Sequence, residues 1–330
     1  MTEGELPFFC CLRAACVSEH SRSSMPRQIG AVKARIEYTG VTAVTAALRA
    51  MPLERAVRAG ARLGGWAMNF DRPNRPIALR NLQIAFPEMT AEARLGILRK
   101  MYRSWGRMLA EWTHFGELSR ANIERVASYE GKEHWDEAER QSKGRGLFVL
   151  TGHFGNFELL QLAHSIYGYH LAIVHRALRN PLIDAAVCGA RVRYGNRVIE
   201  RKAGGREMIR MLRQNWMIAI ALDLDVRKGA FVDFFGKPAS TSDGMARLAL
   251  ATGAPVIPVF MVRQGDTIHH KITILPAIYA EKTRAREEAV REYTQRYTTT
   301  LEEVVRAHPD HWNWIHRRWK TRPPGEPRFY

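Results

Sequence analysis

The stretch Leu147-Phe148-Val149-Leu150-Thr151-Gly152-His153-Phe154-Gly155-Asn156-Phe157-Glu158 decides the architecture. A short apolar run ends in a turn punctuated by two glycines, and a helical pattern over 156–167 follows at once. That order of strand, tight turn and helix is the opening of a βαβ unit. The same rhythm continues downstream. Strands are expected over 146–151, 171–175, 197–200, 217–222, 256–262 and 271–275, with helices over 156–167, 181–194, 205–215 and 241–252 between them. A long helix is expected over about 285–307. Short apolar strands alternating with helices predict an α/β fold with a mostly parallel central sheet and crossover helices. Upstream the pattern is helical, notably over 52–70 and 90–111, so a helical N-terminal region precedes the sheet. No internal repeat or low-complexity tract interrupts this order.

The chain has 330 residues, 46% hydrophobic and 25% charged, which is globular composition and excludes a disordered chain. Fifty Lys and Arg against 33 Asp and Glu leave a net charge of +17, so an anionic partner is expected. No run reaches the roughly 18 apolar residues of a spanning helix. The best stretch, 41–51, is broken by Arg49. Cys10, Cys11, Cys16 and Cys188 show no paired spacing and suit a reducing compartment. Residues 1–25 read as a poorly structured leader, with Met25 a candidate start. Residues 26–140 form the helical region, and 141–330 an α/β core with a basic tail. Within the helix at 52–70, Leu53, Ala56, Val57, Gly60, Ala61 and Gly64 share one face and Arg55, Arg58 and Arg62 the opposite one. Such a helix either packs on a core or lies at an anionic lipid surface. A second basic row, Arg99, Arg103 and Arg107, follows, with Glu111 placed to pair with Arg107.

The turn after the first core strand is the leading site, because α/β sheets bind ligands beyond the carboxyl ends of their strands. His153 sits in the turn and Glu158 in the first turn of the helix, so the carboxylate can fold back on the imidazole. A His held in one tautomer by an acid can deprotonate a hydroxyl, a role worth ~10²- to 10⁴-fold in rate. The same spacing fits a loop histidine satisfied by backbone and an acid facing the helix dipole. No Ser or Cys has the setting of a covalent nucleophile, and Cys188 reads as a buried helix residue. Asp223-Leu224-Asp225 follows a strand without a third ligand, so no metal is expected and the pair reads as structural hydrogen-bonding groups.

Six segments then resemble the lipid A biosynthesis acyltransferase family, the lauroyl/myristoyl-type enzymes of the lysophospholipid acyltransferase superfamily. They are Asn81-Leu82-Gln83-Ile84-Ala85-Phe86-Pro87-Glu88, His153-x4-Glu158, His175-Arg176 with Asn180-Pro181-Leu182-Ile183-Asp184, Ala221-Leu222-Asp223-Leu224-Asp225, Phe231-Val232-Asp233-Phe234-Phe235-Gly236, and the ending Trp312-Asn313-Trp314-Ile315-His316-Arg317-Arg318-Trp319-Lys320-Thr321-Arg322-Pro323. The resemblance implies a glycerolipid acyltransferase-like fold without a cofactor. It implies transfer of a fatty acyl group from acyl carrier protein, or coenzyme A, directly to a hydroxyl of a lipid A precursor. His153 is then the base and Glu158 its partner, with Arg176, Arg201 and Asn156 contacting substrate and Asp223 and Asp225 shaping the site floor. The implied location is the cytoplasmic face of a bacterial inner membrane, held peripherally or monotopically.

The chain departs from the family where an anchor is usual, since 41–51 is short and interrupted. The tail instead interleaves Trp312, Trp314 and Trp319 with Arg317, Arg318, Lys320, Arg322 and Arg328, a mix that suits a headgroup interface and equally a set of tryptophans capping the core with arginines paired to acids elsewhere in the fold. The competing classes are an acyltransferase for another glycolipid or a lysophospholipid, a lipid-binding protein, and a nucleic-acid-binding module. No recognition helix, zinc finger or RNA-binding signature supports the last, so no nucleic acid is expected.

Overall fold

The computed structural model describes residues 29–330 apart from 170, 194, 201–203 and 282–284. The leader, its three cysteines and Arg201 lie outside the described residues. Four helices come first: α1 (Ala31–Arg49), α2 (Leu53–Ala67), α3 (Arg75–Ala85) and α4 (Ala91–Thr113). The core then runs β1 (Ala127–Glu130), α5 (Lys132–Ser142), β2 (Phe148–Thr151), α6 (Phe157–Ile166), β3 (Leu171–His175), α7 (Pro181–Val192), β4 (Arg197–Glu200), α8 (Gly204–Arg213) and β5 (Met217–Ala221). It closes with β6 (Ala230–Phe234), β7 (Lys237–Thr241), α9 (Gly244–Thr252), β8 (Val256–Arg263), β9 (His270–Ile274) and α10 (Arg286–Ala307).

Seven strands form one sheet in the order β1-β9-β8-β2-β5-β3-β4, and every pairing except β8 with β9 is parallel. The α/β expectation with a mostly parallel sheet holds. β6 and β7 make a separate hairpin turned at Phe235-Gly236, both at positive φ. The hairpin and β1 carry too little apolar patterning to be read as strands in the sequence. The expected helix over 241–252 starts later because Thr241 is the last residue of β7.

Two apolar layers cover the sheet. One packs α5 and α6 through Trp135, Leu159, Leu160 and Ala163, and the other packs α8, α9 and α10 through Met211, Leu212, Leu250 and Tyr297. A third cluster joins α3 and α4 to the hairpin and the tail, with Leu82, Leu98, Phe234, Trp312, Trp314 and Trp319 all buried. Of the two readings of the tail, its tryptophans follow the one that caps the core. Buried Arg318 donates to Ser240 O and Thr241 Oγ1. Asn81 of α3 donates to the carbonyls of Trp314 and His316, which ties the first resembling segment to the last.

No described helix is long and apolar enough to cross a membrane. The expected apolar face of α2 is consumed by α4: Ala56, Val57, Gly60 and Ala61 are buried. A methyl on Gly106 of α4 would lie 1.9 Å from Gly60 O, so the two helices meet backbone to backbone and only glycine fits there. A second, outward stripe remains. Leu63 and Trp66 of α2, with Phe70 just beyond it, are exposed, Trp66 and Phe70 at 63% each, and the two rings lie 4.4 Å apart, tilted by 51°. Arg107 pairs with Asp266 rather than Glu111, because Glu111 is engaged by Arg263.

The glycines of α4 make a sign test. Gly106→Ala is expected to destabilise by about 1–3 kcal/mol through forced separation of α2 and α4. Gly96→Ala, where a methyl meets nothing within 4 Å, is expected to stabilise by about 0.5–1 kcal/mol. Paired thermal melts check both, and a common sign would contradict the packing described.

Candidate active site

β2 and β5 are parallel neighbours with Thr151 opposite Ala221. His153 and Asp223 each lie two residues past that rung, so the sheet register itself brings them side by side. The Asp223 carboxylate grips His153 with both oxygens. Oδ2 accepts the His153 backbone N–H at 2.7 Å and Oδ1 accepts from Nδ1 at 2.9 Å. Trp312 Nε1 donates to Oδ2 at 3.0 Å. A side chain on Gly152 would press on this carboxylate, at 3.3 Å from Oδ2. Gly155, at φ +58°, would put a methyl 1.9 Å from Met261 O, so the turn needs glycine twice.

This geometry places the proton on Nδ1 and leaves Nε2 with its lone pair. Asp223 is 1% exposed, yet its carboxyl is held down at about 2; burial opposes the charge, and His153 and Trp312 overcome it. His153 side-chain exposure is 30%. Burial disfavours its cation, the Asp223 carboxylate outweighs that, and the imidazole ends above its ordinary value. A base that holds its proton more firmly than free imidazole, with one nitrogen facing out, is equipped to deprotonate a hydroxyl.

Glu158 does not make the expected bond to His153. Its oxygens accept from Arg191 of α7, at 3.1 Å from Nε and 2.5 Å from Nη2. The Nδ1 that it was expected to hold is taken by Asp223, and the planar guanidinium matches a carboxylate in a fork. Arg191 Nη1 also donates to His175 Nδ1 at 2.9 Å, His175 Nε2 to Asp184 Oδ1 at 2.9 Å, and Leu178 N–H to the same oxygen at 2.7 Å. This chain fixes the loop after β3 that carries Arg176. Arg176 is exposed at the carboxyl edge of the sheet and makes no hydrogen bond or ion pair among the described residues. The ligand atoms of His175, Asp184 and Cys188 cluster within 4.8 Å. Both nitrogens of His175 are occupied and a guanidinium sits against one, which leaves no lone pair there for a metal. Cys188 is buried on α7.

Asn156, expected to contact substrate, and Asp225, expected on the site floor, both spend their polar atoms within the protein. Asn156 is 2% exposed; Oδ1 caps α6 by accepting from Leu159 N at 3.0 Å, and Nδ2 donates to Glu111 at 2.7 Å. Its polar atoms are consumed by the protein. Asp225 accepts from Thr321 N and Oγ1 at 3.0 Å each, and its own N–H donates to His316 Nε2 at 2.9 Å, so it pins the tail rather than lining the floor. Asp223 holds His153, a larger role than site floor. Arg191 was missed altogether. Besides its place in a family-like segment, the sequence carries one positional clue to Asp223: an acid two residues past an apolar strand, as His153 is past its own.

Residues 31–321 match the family model described as bacterial lipid A biosynthesis acyltransferase. The lipid A biosynthesis palmitoleoyltransferase of Escherichia coli (strain K12) is 29% identical over 82% of this chain and 87% of its own. The lauroyltransferase of the same pathway and strain is 29% identical over 85% and 90%. Among solved structures, the 1-acyl-sn-glycerophosphate acyltransferase of Thermotoga maritima aligns with 71% of this chain and 97% of its own, at 18% identity and a TM-score of 0.36. With nearly the whole described chain inside the family model, this protein belongs to the bacterial lipid A biosynthesis acyltransferase family.

Proposed function

We propose that the enzyme moves a fatty acyl group from an acyl carrier protein thioester, or acyl-coenzyme A, to a hydroxyl of a lipid A precursor at the membrane surface. The observation that carries the mechanism is the fork of Asp223 on His153, which leaves Nε2 unpaired at the carboxyl edge of the sheet. Nε2 takes the hydroxyl proton as the oxygen attacks the thioester carbonyl. The tetrahedral intermediate then collapses, breaking the carbon–sulfur bond, and the departing thiolate receives the proton from the imidazolium. Asp223 stabilises that imidazolium. Arg191, held by Glu158, and exposed Arg176 supply positive charge for the oxyanion or for acceptor phosphate. Transfer is direct, since Cys188 is buried on α7 and engaged around His175 and Asp184 rather than at His153.

Attachment to the bilayer is peripheral or monotopic. Support comes from the outward stripe of Leu63, Trp66 and Phe70 and from exposed Arg55, Arg58 and Arg62 on α2. Aromatic side chains flanked by arginine suit an anionic headgroup region. The cytoplasmic face of the inner membrane is where such a donor would be met.

His153→Ala is expected to lower turnover by at least ~10²-fold with the melting curve intact. Product mass after incubation with defined acyl donors and either a lipid A precursor or a lysophospholipid tests acceptor class in the same assay. Activity should fall with acid as His153 protonates, with a midpoint above the ordinary imidazole value. Asp223→Asn removes the carboxylate, so that limb should move to lower pH. Glu158→Gln should move it less, because that carboxylate acts on the imidazole only through space, and a larger shift from Glu158→Gln than from Asp223→Asn would return the orienting role to Glu158.

Incubation with labelled acyl donor and no acceptor should leave the denatured protein unlabelled, and stoichiometric label on any side chain would rule out direct transfer. Co-sedimentation with anionic vesicles should be reduced several-fold in a Trp66→Ser, Phe70→Ser variant and only partly by high salt, because apolar insertion adds to the screened electrostatic part. Equal binding by the variant and the unaltered protein would remove the stripe from the contact.

A further inference from the structure

The C-terminal segment is stitched to the turn that carries His153. Gly155 N–H donates to His311 O at 2.8 Å and Asn313 N–H to His153 O at 3.1 Å, so Phe154 and Trp312 face each other in a short antiparallel bridge. That register sends the Trp312 side chain under the turn. The indole is fully buried, with Phe234 and Trp314 against it at ring separations of 5.5 and 4.6 Å. Its N–H has one partner among the described residues, Asp223 Oδ2 at 3.0 Å.

We propose that Trp312 is a positioning residue for the reaction: its indole N–H locks the Asp223 carboxylate in the orientation that forks onto His153 and draws off part of that carboxylate's charge. This rests on the general-base reading of His153. The consequence has a definite sign. A donor on Oδ2 stabilises the charge on Asp223 and weakens its hold on an imidazolium proton. Without it, His153 keeps its proton to higher pH. The other groups acting on His153 do not cancel the effect. Glu158 of α6 and Arg191 of α7 form a pair of opposite charge, and His316 of the C-terminal segment is pushed below its ordinary value by burial and accepts a backbone N–H. Asp223 is the charge that faces the imidazole; buried Arg318 of the C-terminal segment acts on it through space and is the same with or without the indole donor, and Trp312 is the side chain that donates to it from behind.

Trp312→Phe in the full chain keeps a ring in the core and removes the donor. The His153 imidazole, followed by NMR, should titrate roughly half a pH unit higher, and turnover should fall by ~10-fold as for other supporting hydrogen bonds. The acid limb of kcat/KM should rise with the imidazole. A residue that merely fills space would lower the melting temperature and leave both midpoints in place, so unchanged midpoints overturn the proposal. An imidazole midpoint that rises while the activity limb stays put would support the Trp312 linkage and remove His153 as the base. The unaltered protein gives a second measurement. The Trp312 indole N–H signal should move with the His153 titration. It is identified by its absence in Trp312→Phe or, should that variant not fold, by its response to Asp223→Asn. An indole signal indifferent to that titration also overturns the proposal.

Discussion

A carboxylate taken out of water costs several kcal/mol unless donors surround it, and Asp223 is buried just past the carboxyl end of β5. Three N–H groups meet it: the backbone and Nδ1 of His153, and Nε1 of Trp312. Each donor fixes a different part of the fold. The first two require β2 and β5 to be neighbours in one register and Gly152 to lack a side chain. The third requires the C-terminal segment to run beneath the turn. The tryptophans of the ending and Arg318 are therefore interior, and burial lowers the Arg318 guanidinium to about 10 while Ser240 and Thr241 accept its hydrogen bonds.

The two acids near His153 divide the electrostatic work. Asp223 faces the imidazole with a full charge and favours its cation. Glu158 is spent on Arg191, whose own field opposes that cation. Had Glu158 taken the imidazole, Arg191 would be a buried cation without its carboxylate, and the chain through His175 to Asp184 would lose its first link. A chain of this length ties α6, α7 and the loop after β3 into one unit. Arg176 is thus held at the edge of the sheet by its neighbours, while its own side chain stays open to an anion.

The parallel sheet, its crossover helices and the position of His153 were readable because each depends on local order: apolar run, turn, helix. The partner of His153 depends on which strands become neighbours. β5 lies some seventy residues downstream and is inserted between β2 and β3, a crossover no spacing announces. Spacing favoured the near acid, Glu158, over the far one. Arg191 looked like any arginine on a helix, since nothing local says that its side chain turns inward. Trp312, Trp314 and Trp319 failed differently. Aromatic residues mixed with arginine describe a membrane interface and a polar-edged core equally well, and only the backbone pairing of 311–313 with the turn separates the two. In the hairpin β6–β7, residues 231–236 match a family segment but do not read as a strand, because Gly236, Lys237 and Pro238 dilute the alternation.

The helical region and the active site are mechanically one piece. α2 rests on α4 through glycine contacts with no side chain to yield. α4 carries Glu111, whose carboxylate is paired with buried Arg263 of β8 and also accepts from Asn156. Asn156 caps α6 three residues after His153. From the outward stripe of Leu63, Trp66 and Phe70 to the catalytic turn, the path runs through backbone contact, a buried ion pair and a helix cap. None of these gives way easily, since separating a buried pair leaves an uncompensated charge. On the proposed peripheral attachment, a bilayer gripping that stripe sets the height of His153 above the lipid. An enzyme whose acceptor hydroxyl stays in the headgroup layer gains from that rigidity, because a base misplaced by about 1 Å loses much of its advantage. Asn156 enters the proposed reaction as the joint between α4 and the turn, its polar atoms spent on Glu111 and Leu159.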